Sequence, residues 1–253
     1  MSIRRQANTI IDWKELRALK AKRSVTLNKD PGTFPIKIRP LGIGESLDRI
    51  GGKCMNIATG DDVKLECGSD QLCSGIKGGS EAAIHAMSGL YDEHADNGWG
   101  FLLMDTANAF QNISRPGALW NARVFWPRCS RYLFNSYRGY PLLICRGTNK
   151  VIKSKEGFTQ GDTLSMQEFA IAVLPLIRKL KKPEKYIQNW FADDSGCAGP
   201  LKSLLEWVDL LISEGPKYGV FPEFDKSYCI VSPDYIDDAK ELFSHLKINV
   251  VTG

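Results

Sequence analysis

Two adjacent aspartates, Asp193 and Asp194, sit between an apolar run (Tyr186, Ile187, Trp190, Phe191) and a run of small residues (Ser195, Gly196, Cys197, Ala198). This pattern reads as two short strands joined by a tight turn, with both carboxylates at the tip. Neighbouring carboxylates repel, and each favours its protonated form unless a cation shares them. A hard divalent cation with oxygen ligands is the usual answer. A plainer reading also exists, because Asp favours turns for the hydrogen bonds it makes locally.

A second apolar run, Trp99 to Met104, ends in Asp105. It reads as a buried strand of a sheet covered on at least one face, with the acid at its end. Thr106 to Phe110 then turns the chain towards a helix, and Asp105 can act as its cap. Capping accounts for one acid after a strand, but not for Asp105 and the Asp193-Asp194 hairpin together. A strand-end Asp plus a hairpin Asp can hold two Mg²⁺ ions at the spacing used for in-line phosphoryl displacement, about 3.5–4 Å.

Five segments, taken in order, resemble the palm and fingers of reverse transcriptases (RNA-directed DNA polymerases), especially those of eukaryotic retrotransposons. They are Ile38–Ile43, Asp105–Phe110, Glu156–Ser165, Phe191–Asp194 and Gly219–Lys226, covering roughly residues 35 to 232. A lone Asp pair is unspecific, whereas five motifs in order are strong evidence. The fold implied is α+β. It is a right-hand polymerase palm with a ferredoxin-like antiparallel sheet and helices, partial fingers and no thumb. The domains expected are a basic N-terminal helix and linker (1–35), a fingers-like region (36–97) and a palm (98–253) that stops before the primer grip.

The resemblance also implies roles. Asp105, Asp193 and Asp194 would ligate two Mg²⁺ ions, with Mn²⁺ as an alternative. Phe110 would close the space that a ribose 2′-hydroxyl needs, although a Phe is by default a core residue. Gln160 and Gly161 would meet the incoming nucleotide and the template; glycine lets a backbone approach closely. The bland reading of that segment is a polar turn in which Asp162 or Thr163 caps the next helix. Arg39 would grip the triphosphate with its guanidinium fork. Lys226 would protonate the departing pyrophosphate. The partners implied are an RNA template, a DNA or RNA primer, deoxynucleoside triphosphates and a partner chain supplying the thumb. Thr163 stands where the family has proline. Pro175 should kink or end the helix that follows Leu164.

Charge is uneven along the chain. Residues 1–30 hold eight basic and three acidic side chains, a net of +5 against +4 for all 253 residues. A second basic cluster comprises Arg178, Lys179, Lys181, Lys182 and Lys185. Such patches suit phosphate backbones, and they equally suit a solvated helix face. Seven scattered cysteines and three histidines form no zinc pattern. With no secretory signal and no apolar run near the ~20 residues of a membrane span, the expected location is intracellular, cytoplasmic or nuclear. Helices are expected over residues 9–23, 80–94, 201–218 and 235–246. Three rival functions stay open: an RNA-dependent RNA polymerase, a non-catalytic nucleic-acid-binding remnant of a retroelement, and a metal-dependent phosphohydrolase.

Overall fold

The chain opens with two short helices, α1 (Ile3–Asn8) and α2 (Trp13–Leu16), in a computed structural model that describes residues 2–253. Strands β1 (Lys22–Asn28) and β2 (Ile38–Gly44) follow, then helices α3 (Ser46–Cys67) and α4 (Gly79–His94). Next come β3 (Trp99–Met104), α5 (Ala109–Asn112), α6 (Arg115–Phe125), α7 (Pro127–Tyr137), β4 (Leu142–Cys145) and β5 (Val151–Lys153). The chain closes with α8 (Ser165–Leu180), β6 (Ile187–Phe191), β7 (Asp194–Pro200), α9 (Leu201–Glu214), β8 (Tyr228–Val231), α10 (Ile236–Leu242) and β9 (Asn249–Thr252). Helix accounts for 49% and strand for 19%, so the class is mixed α/β.

The chain forms two compact units that interleave in sequence. One contains Met1–Val63 and Ile113–Ala172; the other contains Lys64–Asn112 and Val173–Gly253. The first unit carries a four-stranded sheet in the order β2-β1-β4-β5. Here β1 pairs antiparallel with β2 and parallel with β4. Its interior is aromatic: Trp126, Tyr132, Tyr137 and Phe158 are all buried. The Trp126 indole N–H donates to the carbonyl and hydroxyl oxygens of Thr59 at 2.9 and 3.0 Å, which ties α3 to the start of α7. Helix α3 forms despite Gly51 and Gly52, because Met55, Thr59 and Val63 bury one face of it.

The second unit carries a five-stranded sheet in the order β6-β7-β3-β8-β9. In chain order β3, β6, β7 and β8 give the β-α-β-β-α-β arrangement of ferredoxin-like folds, all four pairing antiparallel. The expected antiparallel sheet is mixed, however, because β9 adds in parallel to β8. Alternation along β3 decides what each face meets. A Cβ on Gly100 would meet Leu201 and Leu204 of α9, whereas Phe101 packs with Met87 of α4. Behind β6, Trp207 of α9 lies 6.2 Å from Trp190 and donates its indole N–H to Gln188 at 2.7 Å.

Four helix expectations need correction, the one over 235–246 because α10 ends at Leu242. The spacing over 9–23 yields only the four-residue α2, because Lys20 and Lys22 turn inward and β1 begins at Lys22. Helix α8 runs five residues beyond Pro175 instead of ending there. Its flanks Leu174, Leu176 and Ile177 are all fully buried, and that packing offsets the lost hydrogen bond. The helix from Leu201 stops at Glu214 and continues as a 3₁₀ turn, Gly215–Tyr218.

Candidate active site

Strand β3 delivers Asp105 and the β6–β7 hairpin delivers Asp193 and Asp194. Because β3 and β7 are neighbours with Met104 opposite Ser195, the strand end and the hairpin tip fall side by side. Phe191 pairs with Asp194, leaving Ala192 and Asp193 as a two-residue turn. Ala192 has φ of 55°, the left-handed region that hairpin turns of the primed types require at their first position. That position usually holds glycine; a left-handed alanine costs roughly 1–2 kcal/mol.

Several hydrogen bonds fix the carboxylates' backbone. The Asp105 N–H donates to Ser227 Oγ at 3.2 Å, and its carbonyl accepts the Glu223 N–H at 2.9 Å. Asp105 Oδ1 accepts the Thr106 N–H at 3.0 Å, but Asp105 does not cap the next helix, which begins only at Ala109. Thr106 Oγ1 donates to the Asp193 carbonyl at 3.2 Å. Thr106, Glu223 and Ser227 were not singled out from the sequence. Their only signal is adjacency to Asp105 and Lys226.

The cluster is electrostatically loaded. Burial, then the charges of Asp193 and Asp105, raise the Asp194 carboxyl above its ordinary value. Lys226 Nζ lies 3.9 Å from Asp105 Oδ2 and closer still to Glu223, its main ion-pair partner. The bond to Glu223, and then the charges of Glu223, Asp105 and Asp225, hold the Lys226 ammonium above its ordinary value despite partial burial. The donor set is all carboxylate oxygen, which suits a hard cation. Among the described residues, no three His, Cys, Asp or Glu side chains already converge as a metal cage. A cavity of about 700 Å³ adjoins the cluster; Ile84 and Met87 of α4 and Phe101, Leu103 and Asp105 line it, with Asp194 and Lys226. Phe110 lies in α5 and is 7% exposed.

The first unit holds the other motif residues. The Gly42 N–H donates to the Gln160 carbonyl at 2.8 Å. A Cβ on Gly42 would stand 2.2 Å from Thr159 Cγ2, and one on Gly161 would stand 3.1 Å from the Gly42 carbonyl oxygen. Gly161 also has φ of 96°. Two backbones thus touch where no side chain fits, so β2 and the Gln160-Gly161 turn form one piece. The loop before this turn hangs on Arg115, 3% exposed, whose guanidinium donates to the carbonyls of Ser154, Glu156 and Gly157. The Thr159 hydroxyl and the Gln160 side-chain carbonyl are buried without a hydrogen-bond partner. Arg39 is exposed on β2.

Beneath this turn lies a buried charge network. Lys22 pairs with Asp162, and Lys20 pairs with Asp48 at 2.5 Å. Asp162 Oδ2 also accepts the Tyr137 hydroxyl at 3.0 Å, and Oδ1 accepts the Leu164 N–H at 3.2 Å ahead of α8. Burial alone would raise the Asp162 carboxyl, but Lys22, the Leu164 N–H and Lys20 carry it below its ordinary value. Burial, and then the Asp162 charge, push the Glu168 carboxyl well above its ordinary value.

Neither basic patch is wholly free for phosphate. Lys20 and Lys22 are 1% and 3% exposed and already paired. In the second cluster Arg178 meets Glu66 and Asp70, Lys179 meets Glu214, Lys181 meets Asp70 and Lys185 meets Glu206. Among the described residues no helix is long and apolar enough to cross a membrane.

No family model matches the chain, and no curated protein matches its sequence. Solved telomerase structures do resemble it. Apo telomerase from Candida tropicalis superposes with a TM-score of 0.64 at 12% identity, over 86% of this chain and 45% of that one. A form truncated from its C-terminal domain gives 0.61 at 12% identity, over 83% and 49%. Telomerase from Candida albicans, solved with a TWJ fragment of telomeric RNA, gives 0.60 at 12% identity, over 85% and 42%. The chain spans less than half the length of these proteins, and at such identity the likeness speaks for the fold alone. That fold is reverse-transcriptase-like.

Proposed function

We propose that this chain carries the nucleotidyl-transfer chemistry of a reverse transcriptase related to those of retrotransposons. It would extend a DNA or RNA primer with deoxynucleotides on an RNA template. The observation that supports this reading is that the end of β3, carrying Asp105, lies beside the hairpin turn carrying Asp193 and Asp194, with Lys226 3.9 Å from Asp105. The five ordered motifs and the reverse-transcriptase-like fold support it.

Asp105 and Asp193, completed by Asp194, would hold two Mg²⁺ ions, or Mn²⁺, which stabilise charge on the attacking and leaving oxygens when bound. In the reaction the primer 3′-hydroxyl oxygen bonds to the α-phosphorus, and the bond from that phosphorus to the pyrophosphate oxygen breaks. The hydroxyl proton would pass to solvent water, and Lys226 would donate its ammonium proton to the departing pyrophosphate oxygen, leaving a neutral amine to be reprotonated from solvent. Lys226 suits a donor that must stay charged until then, because Glu223 and Asp105 favour its ammonium form. Phe110 is proposed to exclude a 2′-hydroxyl. Arg39, Gln160 and Gly161 are proposed to serve nucleotide and template, and the unpartnered Gln160 carbonyl oxygen supports that role. A further chain supplying a thumb is part of the same proposal.

The test is primer extension on an RNA template with deoxynucleotides and Mg²⁺. Asp193→Asn is expected to abolish extension, and Phe110→Ala to admit ribonucleotides. Extension that survives Asp193→Asn would sink the reading. So would a wild-type chain, given a thumb-bearing partner, that binds RNA and never extends a primer.

A further inference from the structure

Gln71 lies in the segment after α3, is 0% exposed and is no part of any recognised motif. Its side-chain amide meets the backbone of Ala192, 121 residues away, twice. The Ala192 N–H donates to Gln71 Oε1 at 2.8 Å, and Gln71 Nε2 donates to the Ala192 carbonyl at 3.0 Å. Oε1 also receives the Cys73 N–H at 3.4 Å, and the Leu72 N–H donates to the Trp190 carbonyl at 2.8 Å. Residues 71–73 therefore run along the end of β6 and hold the turn from its side.

Ala192 is the residue at which a hold is needed. It occupies a left-handed position without being glycine, and its own peptide groups are buried. A carboxamide donates and accepts in the same plane, so it can satisfy both groups of one residue. Asp193 is the next residue, so the backbone angles fixed at Ala192 set where its carboxylate points.

We propose that Gln71 is a positioning residue that locks Ala192 in its left-handed state and thereby aims Asp193 at the reacting groups. This inference rests on the nucleotidyl-transfer reading above. Gln71→Met keeps the length and removes both hydrogen bonds. Gln71→Glu keeps the acceptor and loses the donor. A misplacement of about 1 Å can cost on the order of 100-fold in rate.

The experiment measures Mn²⁺ affinity by electron paramagnetic resonance beside primer extension, on the full chain, with melting curves as the check on folding. In Gln71→Met we expect Mn²⁺ affinity and kcat each to fall ~10-fold or more, with KM for the deoxynucleotide within about two-fold. Adding Ala192→Gly should recover part of that loss, because glycine adopts the left-handed state freely. Gln71→Glu should fall between, and it decides the matter if Gln71→Met does not fold. Unchanged Mn²⁺ affinity in the Gln71 variants, where Asp193→Asn loses it, would overturn the positioning role alone. Unchanged Mn²⁺ affinity in Asp193→Asn, with no extension by wild type, would overturn the nucleotidyl-transfer reading and this inference with it.

Discussion

Lys22→Met tests whether the turn carrying Gln160 and Gly161 rests on a buried ion pair. Lys22 is 3% exposed and the Asp162 side chain 14%, so solvent cannot replace the lost cation. Removing one partner of a buried pair typically costs about 3–5 kcal/mol, because the other charge stays buried and uncompensated. Two features place this case near 3. The Tyr137 hydroxyl and the Leu164 N–H still bond Asp162, and Lys20 lies close enough to lower its pKa. Removing both charges, as in Lys22→Met with Asp162→Asn, should bring stability back to within about 1 kcal/mol of wild type. The assay is urea unfolding followed by circular dichroism, where a loss of this size moves the midpoint by roughly 1 M or more. The pH dependence has a definite sign. A carboxyl held below its ordinary value stabilises above its unfolded pKa and loses that contribution as pH falls through the folded value. The Lys22→Met penalty should therefore be full at pH 7 and shrink below about pH 4. A loss under 1 kcal/mol, or a double variant as unstable as the single, would refute the reasoning.

Glu168→Gln should stabilise the chain at pH 8 relative to wild type and change little at pH 4. A carboxyl raised by burial makes the wild type lose stability as pH climbs above its unfolded value, a decline the amide lacks; equal pH slopes in paired denaturation curves would contradict this. Among the cysteines, Cys54 is exposed, whereas burial pushes Cys67, Cys73 and Cys229 up to about 12. Brief alkylation at pH 8 followed by mass mapping should mark Cys54 first, and early labelling of Cys73 would show that the segment holding Ala192 opens readily.

What the sequence made legible was what depends on neighbours in the chain. The β6–β7 hairpin, β3 and α4 follow from local alternation, spacing and turn residues, and they lie within a residue or two of where the pattern put them. The placing of Asp105 beside the Asp193-Asp194 turn follows from the same local signals, since Asp105 follows the apolar β3 and the Asp pair lies at a hairpin turn. Contacts made across the fold left no such trace. Gln71 is an ordinary polar residue in a loop until Ala192 arrives beside it. Lys20 and Lys22 looked like members of a basic patch, because nothing local distinguishes a lysine destined for Asp48 or Asp162 from a solvated one. Pro175 signalled a break that the packing of α8 overrides, and α3 was obscured by Gly51 and Gly52 until its buried face was seen.

The ion pairs along Arg178, Lys179, Lys181 and Lys185 bear on how this chain would meet nucleic acid. Binding to a phosphate backbone gains much of its strength by releasing condensed cations, and each protein charge that neutralises a phosphate steepens the salt dependence by nearly one unit. These four side chains already hold carboxylates of their own chain. A phosphate arriving there must first displace Asp70, Glu214 or Glu206, so the exchange releases little and the slope gains little. The cluster stitches α8 and its flanks to neighbouring acids, and the ionic-strength signature of any RNA complex will be written by other residues.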